Sequence, residues 1–162
     1  MIVDGKVMVM VPHTRAYLDE IDIAYLAGII DGEGYIGISK GKQPVGPNYS
    51  YEIHVSLHMM DGVIPKMFLQ YFGGKVSRSK TLTPRAKHSL SWKYLASGAK
   101  AMNLLLILLP RLIIKKQQAN VAIYLQKQLS LHPRGKKLTE REIMERERLL
   151  SLSKDLKRIP VN

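Results

Sequence analysis

Hydrophobic spacing changes period several times along this chain, and each change marks an element. Lys6 to Val11 reads as a short strand ended by Pro12. From Ile23 to Gly34 the apolar positions Leu26, Ile29 and Ile30 follow helical spacing, with Asp22 available as the cap. The period then drops to two. Tyr35 to Lys40 predicts a strand, and Gly41 to Asn48 a long hairpin loop. The next strand sets Ile53, Val55, Leu57 and Met59 against Glu52, His54, Ser56 and His58. Ile64 to Phe72 predicts an amphipathic helix with Pro65 in its first turn, stopped by Gly73-Gly74. Lys75 to Lys80 and Ala86 to Leu95 predict two further strands joined through Thr83-Pro84-Arg85. In the second of these, His88, Leu90, Trp92 and Tyr94 share one face, and Lys87, Ser89, Ser91 and Lys93 the other.

The remainder reads as helix. Ser97 caps a core helix over Gly98 to Leu109, and Pro110 opens another running to about Leu131. His132 to Lys137 is a basic linker. Thr139 with Glu142 three residues on forms a capping box for a last helix, whose seam is Leu149, Leu152, Leu156 and Ile159. The order α-β-β-α-β-β-α-α, with an extra C-terminal helix, predicts an α+β domain with helices behind a sheet and a polar sheet front. Residues 1–22 are expected to be a lead-in and 23–131 the body. Residues 132–162 add the linker and terminal helix to the same domain.

A chain of 162 residues suits one such domain. It has no cysteine, which excludes disulfides and thiolate chemistry. Its longest apolar run, Leu104 to Leu109, cannot span a bilayer, and Met1 to Val11 does not read as a signal peptide. The expectation is an intracellular protein without a membrane partner, cytoplasmic in a prokaryote or organellar if organelle-encoded. The net charge of +12 points to a polyanionic partner. Its distribution is uneven: residues 1–33 hold 2 basic and 6 acidic side chains, 34–97 hold 9 and 2, and 98–162 hold 14 and 5. Acid gathers on the first helix and base on everything after it. Charge alone does not separate an enzyme from a binder.

That first helix is hard to explain as ordinary core. Ala24, Gly28 and Gly32 recur every fourth residue and form one smooth stripe. A glycine costs about 1 kcal/mol against alanine inside a helix, so two on one stripe call for close approach of another backbone. Asp31 and Glu33 then stand together at the helix end, where they repel each other unless a cation or proton intervenes.

Leu26-Ala27-Gly28-Ile29-Ile30-Asp31-Gly32-Glu33-Gly34 resembles, position by position, the signature of the LAGLIDADG homing endonucleases. It departs at Ile29 for Leu, Gly32 for Ala and Glu33 for Asp. Only one copy is present. The resemblance implies a curved antiparallel sheet whose concave face lies in the DNA major groove. It also implies a symmetric homodimer formed through the motif helices, here Ala24, Ala27, Gly28, Asp31 and Gly32. The implied activity is cleavage of both strands of a long, nearly palindromic DNA site by an intron-encoded enzyme. Glu33 falls on the family's metal-binding carboxylate, with the Gly32 carbonyl as a further ligand and Asp31 as a mainly structural acid. No zinc-like cluster appears, so Mg²⁺ or Mn²⁺ is the expected cofactor, with Ca²⁺ able to bind without supporting cleavage.

The segment Pro110-Arg111-Leu112-Ile113-Ile114-Lys115-Lys116-Gln117-Gln118-Ala119-Asn120 resembles the family stretch that sets a lysine beside the active site. Lys115 is the match and Lys116 its rival. His58, with Met59 as the alternative alignment, is the nearest counterpart of a polar residue at the end of the second strand. For DNA contact the polar strand faces offer His54, Ser56, His58, Ser77, Ser79, Lys87, Ser89, Ser91 and Lys93. Lys40, Lys42 and Gln43 sit on the hairpin, Arg78, Lys80 and Arg85 are phosphate candidates, and Lys116 adds a further cation. Two other functions stay open at this point: an intron RNA maturase using the basic C-terminal helices, and a DNA-binding module that does not cleave.

Overall fold

The computed structural model describes the backbone of residues 2–3, 6–11, 17–42, 49–83, 86–133 and 135–158. It describes the side chains of all these except 2–3, 6–7, 79–83 and 86–90. Three strands come first: β1 (Ile2–Val3), β2 (Lys6–Met10) and β3 (Tyr17–Asp19), paired in that order. Then follow α1 (Glu20–Glu33), β4 (Gly34–Lys42), β5 (Tyr49–Met59), α2 (Val63–Phe72), β6 (Lys75–Thr83) and β7 (Ala86–Ser97). Helices α3 (Gly98–Leu108), α4 (Lys116–Leu131) and α5 (Glu140–Asp155) complete the chain, with a 3₁₀ turn at Leu109–Arg111. The expected α-β-β-α-β-β-α-α order is present, preceded by three strands. Only the Lys6 strand among these was legible in the spacing.

The main sheet is antiparallel throughout, in the order β4-β5-β7-β6. Side chains alternate across it as the period of two requires. Ile36, Ile38, Ile53, Val55, Leu57, Tyr94 and Ala96 point into the core, where Leu26, Ile30, Phe68, Phe72, Leu104, Leu105 and Leu108 meet them from the helices. Val11 and Leu18 are fully buried in the same core, so the chain at the end of β2 and strand β3 pack into the body. Among the described residues no helix is long and apolar enough to cross a membrane.

Two helix starts differ from the pattern reading. Helix α1 begins at Glu20, not Ile23, because Asp19 is the cap and its Oδ1 accepts the Asp22 N–H at 2.8 Å. The helix after Pro110 begins only at Lys116, because the N–H groups of residues 113–115 bond elsewhere, as described below. The capping box of α5 forms as expected. Thr139 and Glu142 bond reciprocally, and these bonds together with His132 hold the Glu142 carboxyl down to about 2.

Tyr94 is completely buried between Phe68 and Gly74, and its hydroxyl has no partner among the described residues. An unsatisfied buried hydroxyl costs about 1 kcal/mol or more. Tyr94→Phe is therefore expected to leave stability equal or raise it by about 1 kcal/mol in urea melts. A clear loss would show that the hydroxyl has a bonding role.

Candidate active site

Helix α1 ends in the wrong electrostatic sense. Its last turn carries Asp31 and Glu33 and no basic residue, although the carbonyl end of a helix favours cations. The compensation arrives from far along the chain. Lys115 Nζ donates to the Ile30 carbonyl at 2.8 Å and to the Asp31 carbonyl at 2.7 Å. Burial pushes the Lys115 ammonium below its usual range, while Asp31 and Glu33 pull the other way.

Asp31 makes this possible. Its carboxylate accepts the backbone N–H groups of Ile113 at 2.7 Å, Ile114 at 3.2 Å and Lys115 at 2.9 Å. Those of Ile113 and Ile114 belong to the turn before α4 and that of Lys115 to its cap residue. Lys115 is the cap residue of α4 and makes no side-chain cap bond of its own, and Asp31 fixes it and the two residues before it from another element. The local sequence around 112–115 shows no acid to do this. Asp31→Ala is accordingly expected to lower stability by about 2 kcal/mol, and Asp31→Asn by less. Unchanged urea melts for the alanine variant would show that the loop holds without its acceptor.

Glu33 is exposed at the last helical position and forms no ion pair among the described residues. Gly34 opens β4 directly. A side chain there would stand 2.7 Å from the Ile30 carbonyl oxygen, so only glycine permits this helix-to-strand step. The step fixes Glu33 over the end of the sheet. Because Gly34 pairs with Leu57, His58 lies one register step further on, exposed, at the same end. Of the rival lysines, Lys115 reaches the helix end and Lys116 is exposed at the start of α4.

The stripe behaves unlike Gly34. Ala24, Gly28 and Gly32 are all exposed, and a Cβ at Gly28 or Gly32 would meet nothing within 4 Å. Nothing among the described residues requires those two glycines. Exposed apolar side chains accompany them, Ile21 at 73% and Tyr25 at 51%, with Ile113 at 83% on the segment bonded to Asp31. Ala27 does not belong to this face; it is fully buried in the core of the chain, one helical step round from Gly28.

The sheet face away from the helices carries Tyr35, His54, Ser56, His58, Ser77 and Lys93. By register Ser91 falls on it too, nearly buried, and Ser56 is likewise buried. Lys40, Lys42 and Arg78 lie on the helix-side face, since they pair with Tyr51, Tyr49 and Trp92. Lys40 is ion-paired to Glu147 of α5 at 2.6 Å and stands 3.9 Å over the Tyr49 ring. Arg78 and Lys66 both rest on the Trp92 ring. Burial, then the charge of Lys157, push the His54 imidazole down, with Glu52 opposing. The side chains of Ser79, Lys80, Lys87 and Ser89, and the whole of Gln43 and Arg85, lie outside the described residues.

The donors at the α1 end suit a hard cation: a carboxylate and the Gly32 carbonyl at a helix C-terminus. Among the described residues no three His, Cys, Asp or Glu side chains stand together to hold a metal. The described residues of the chain therefore offer part of a coordination shell.

No protein-family model and no curated protein matches the sequence. Solved structures match the fold. The homing endonuclease I-CvuI, seen with its target in the presence of calcium, aligns with a TM-score of 0.67 at 19% identity, over 88% of this chain and 85% of that one. The archaeal intron-encoded homing endonuclease I-Vdi141I, complexed with DNA, gives 0.64 at 19% identity, over 88% and 87%. The LAGLIDADG homing endonuclease I-GzeII, in complex with its DNA target, gives 0.59 at 15% identity, over 86% of this chain and 50% of that one. The chain thus has the fold of the LAGLIDADG homing endonucleases.

Proposed function

We propose that this protein is a site-specific DNA endonuclease that works as a homodimer and hydrolyses phosphodiesters with a divalent metal. The observation that carries the reading is the convergence at the α1 end. Glu33, Asp31 and Lys115 gather there, flanked by a stripe of small residues that its own protomer leaves uncovered. Two copies joined along that stripe bring two Glu33 carboxylates together, and so complete the coordination that one protomer only begins.

Each residue then has a task. Glu33 and the Gly32 carbonyl would hold the cation, which would supply charge relief at the leaving oxygen and a more acidic water. Lys115, locked on two carbonyls and partly buried, adds fixed positive charge beside the reacting phosphate at no reorganisation cost. Asp31 positions Lys115. The sheet face meets the base edges, and the surplus of basic residues meets phosphates.

Incubating the protein with a randomised duplex library and Mg²⁺, then sequencing the cut ends, tests the reading at once. The expected product is a single preferred site with two-fold symmetry, cut on both strands. A protein that binds duplex DNA yet selects no cut site would remove the enzymatic part of the proposal.

A further inference from the structure

The sheet face holds one arrangement that neither the helix end nor the stripe accounts for. Tyr35 stands two residues beyond Glu33, on β4. Its ring stacks on His54 with centroids 5.5 Å apart and planes 22° apart, and Lys157 Nζ lies 4.0 Å from its centroid. Lys157 belongs to the turn after α5, a helix whose Glu147 bonds Lys40 and Tyr51 on the opposite face of the sheet. The chain therefore passes the β4 edge to bring Lys157 to Tyr35. Gln118, three residues after Lys115, donates to the Leu156 carbonyl at 3.4 Å and ties that turn to the active-site helix.

Gly37 leaves room for the stack. A Cβ there would stand 2.4 Å from Tyr35 Cε1 and 2.8 Å from His54 Nε2. Glycine weakens a strand interior, so its use at this position is explained by the two rings it admits. Three separate elements thus fix a ring that is still 46% exposed. Core packing gains little from holding an exposed side chain so firmly.

We propose that Tyr35 is a specificity-determining residue, a rigidly held phenol that reads one base pair beside the cleavage position in each half-site. The proposal rests on the endonuclease reading above. A phenol hydroxyl both donates and accepts, and a ring already immobilised loses little entropy on contact. Its place on the strand that leaves Glu33 sets it next to the reacting phosphate. Here His54 and Lys157 are positioning residues: they support the ring by stacking and by cation–π attraction.

The test compares cut-site profiles from the same randomised library for the wild-type chain, Tyr35→Phe and Tyr35→Gln, with melting curves alongside. Tyr35→Phe keeps the stack and the melting temperature. It is expected to flatten the preference about tenfold at one symmetric pair of positions, leaving the others unchanged. Tyr35→Gln, whose amide suits adenine, shifts the preference at those same positions. A Tyr35→Phe profile identical to wild type, or weakened evenly at every position, overturns the role of Tyr35 and leaves the endonuclease reading standing. A wild-type chain that selects no site overturns both.

Discussion

Glu33→Gln is expected to lower DNA cleavage by about 10³-fold or more, because several kcal/mol of transition-state stabilisation would depend on the cation proposed to bind there. Gln keeps the length and shape of the side chain and removes only its charge. Glu33 is exposed and forms no ion pair among the described residues, so the fold has little to lose. Removing an acid from the carbonyl end of α1, where Asp31 already stands, leaves stability equal or slightly higher. DNA affinity in the presence of Ca²⁺ is expected to stay within a few-fold. This opposition of signs separates catalytic loss from damage to the fold. Cleavage at wild-type rates by the variant would refute the assignment of Glu33 to the metal.

The second large effect concerns association. Gly28→Leu should stabilise the isolated protomer, since leucine gains most of the roughly 1 kcal/mol that glycine forfeits in a helix, and the added Cβ meets nothing within 4 Å. The same side chain projects from the middle of the exposed stripe and holds a partner helix away. Light scattering is expected to show a dimer for the wild type, as proposed, and a monomer for the variant, and cleavage is expected to be lost with the dimer. Ile21 and Tyr25 would remain uncovered, which makes the variant more prone to nonspecific association at high concentration. A dimer that survives Gly28→Leu with full activity would mean that the copies meet elsewhere.

Much of this was legible in the residues. The alternation Ile53, Val55, Leu57 against His54, Ser56, His58 specified both a strand and its buried side, and burial follows it at each of the three apolar positions. The cap of α5 was readable from Thr139 and Glu142 alone. The helix stripe was readable too, and the structure adds that Gly28 and Gly32 answer no need among the described residues while Gly34 and Gly37 do. The pattern could not show that Ala27 turns inward while Ala24 turns out, because alanine suits either side. Nor could it show that Lys40 faces the helices; near a hairpin a lysine reads as solvent-facing, and only pairing with Tyr51 and Glu147 shows otherwise.

By itself, the sequence determined the elements, their apolar faces, the acidic helix end and the surplus of positive charge, because each depends on residues close together in the chain. The tertiary structure decided which distant groups meet. Lys115 reaches the α1 end because Asp31, 84 residues earlier, accepts its backbone N–H and those of its neighbours. Lys157 reaches Tyr35 because α5 packs past the β4 edge. Local propensity assigns a residue to a helix or strand and to a face, but it carries no information about which distant donor will satisfy a given acceptor. That pairing exists only once the core has closed.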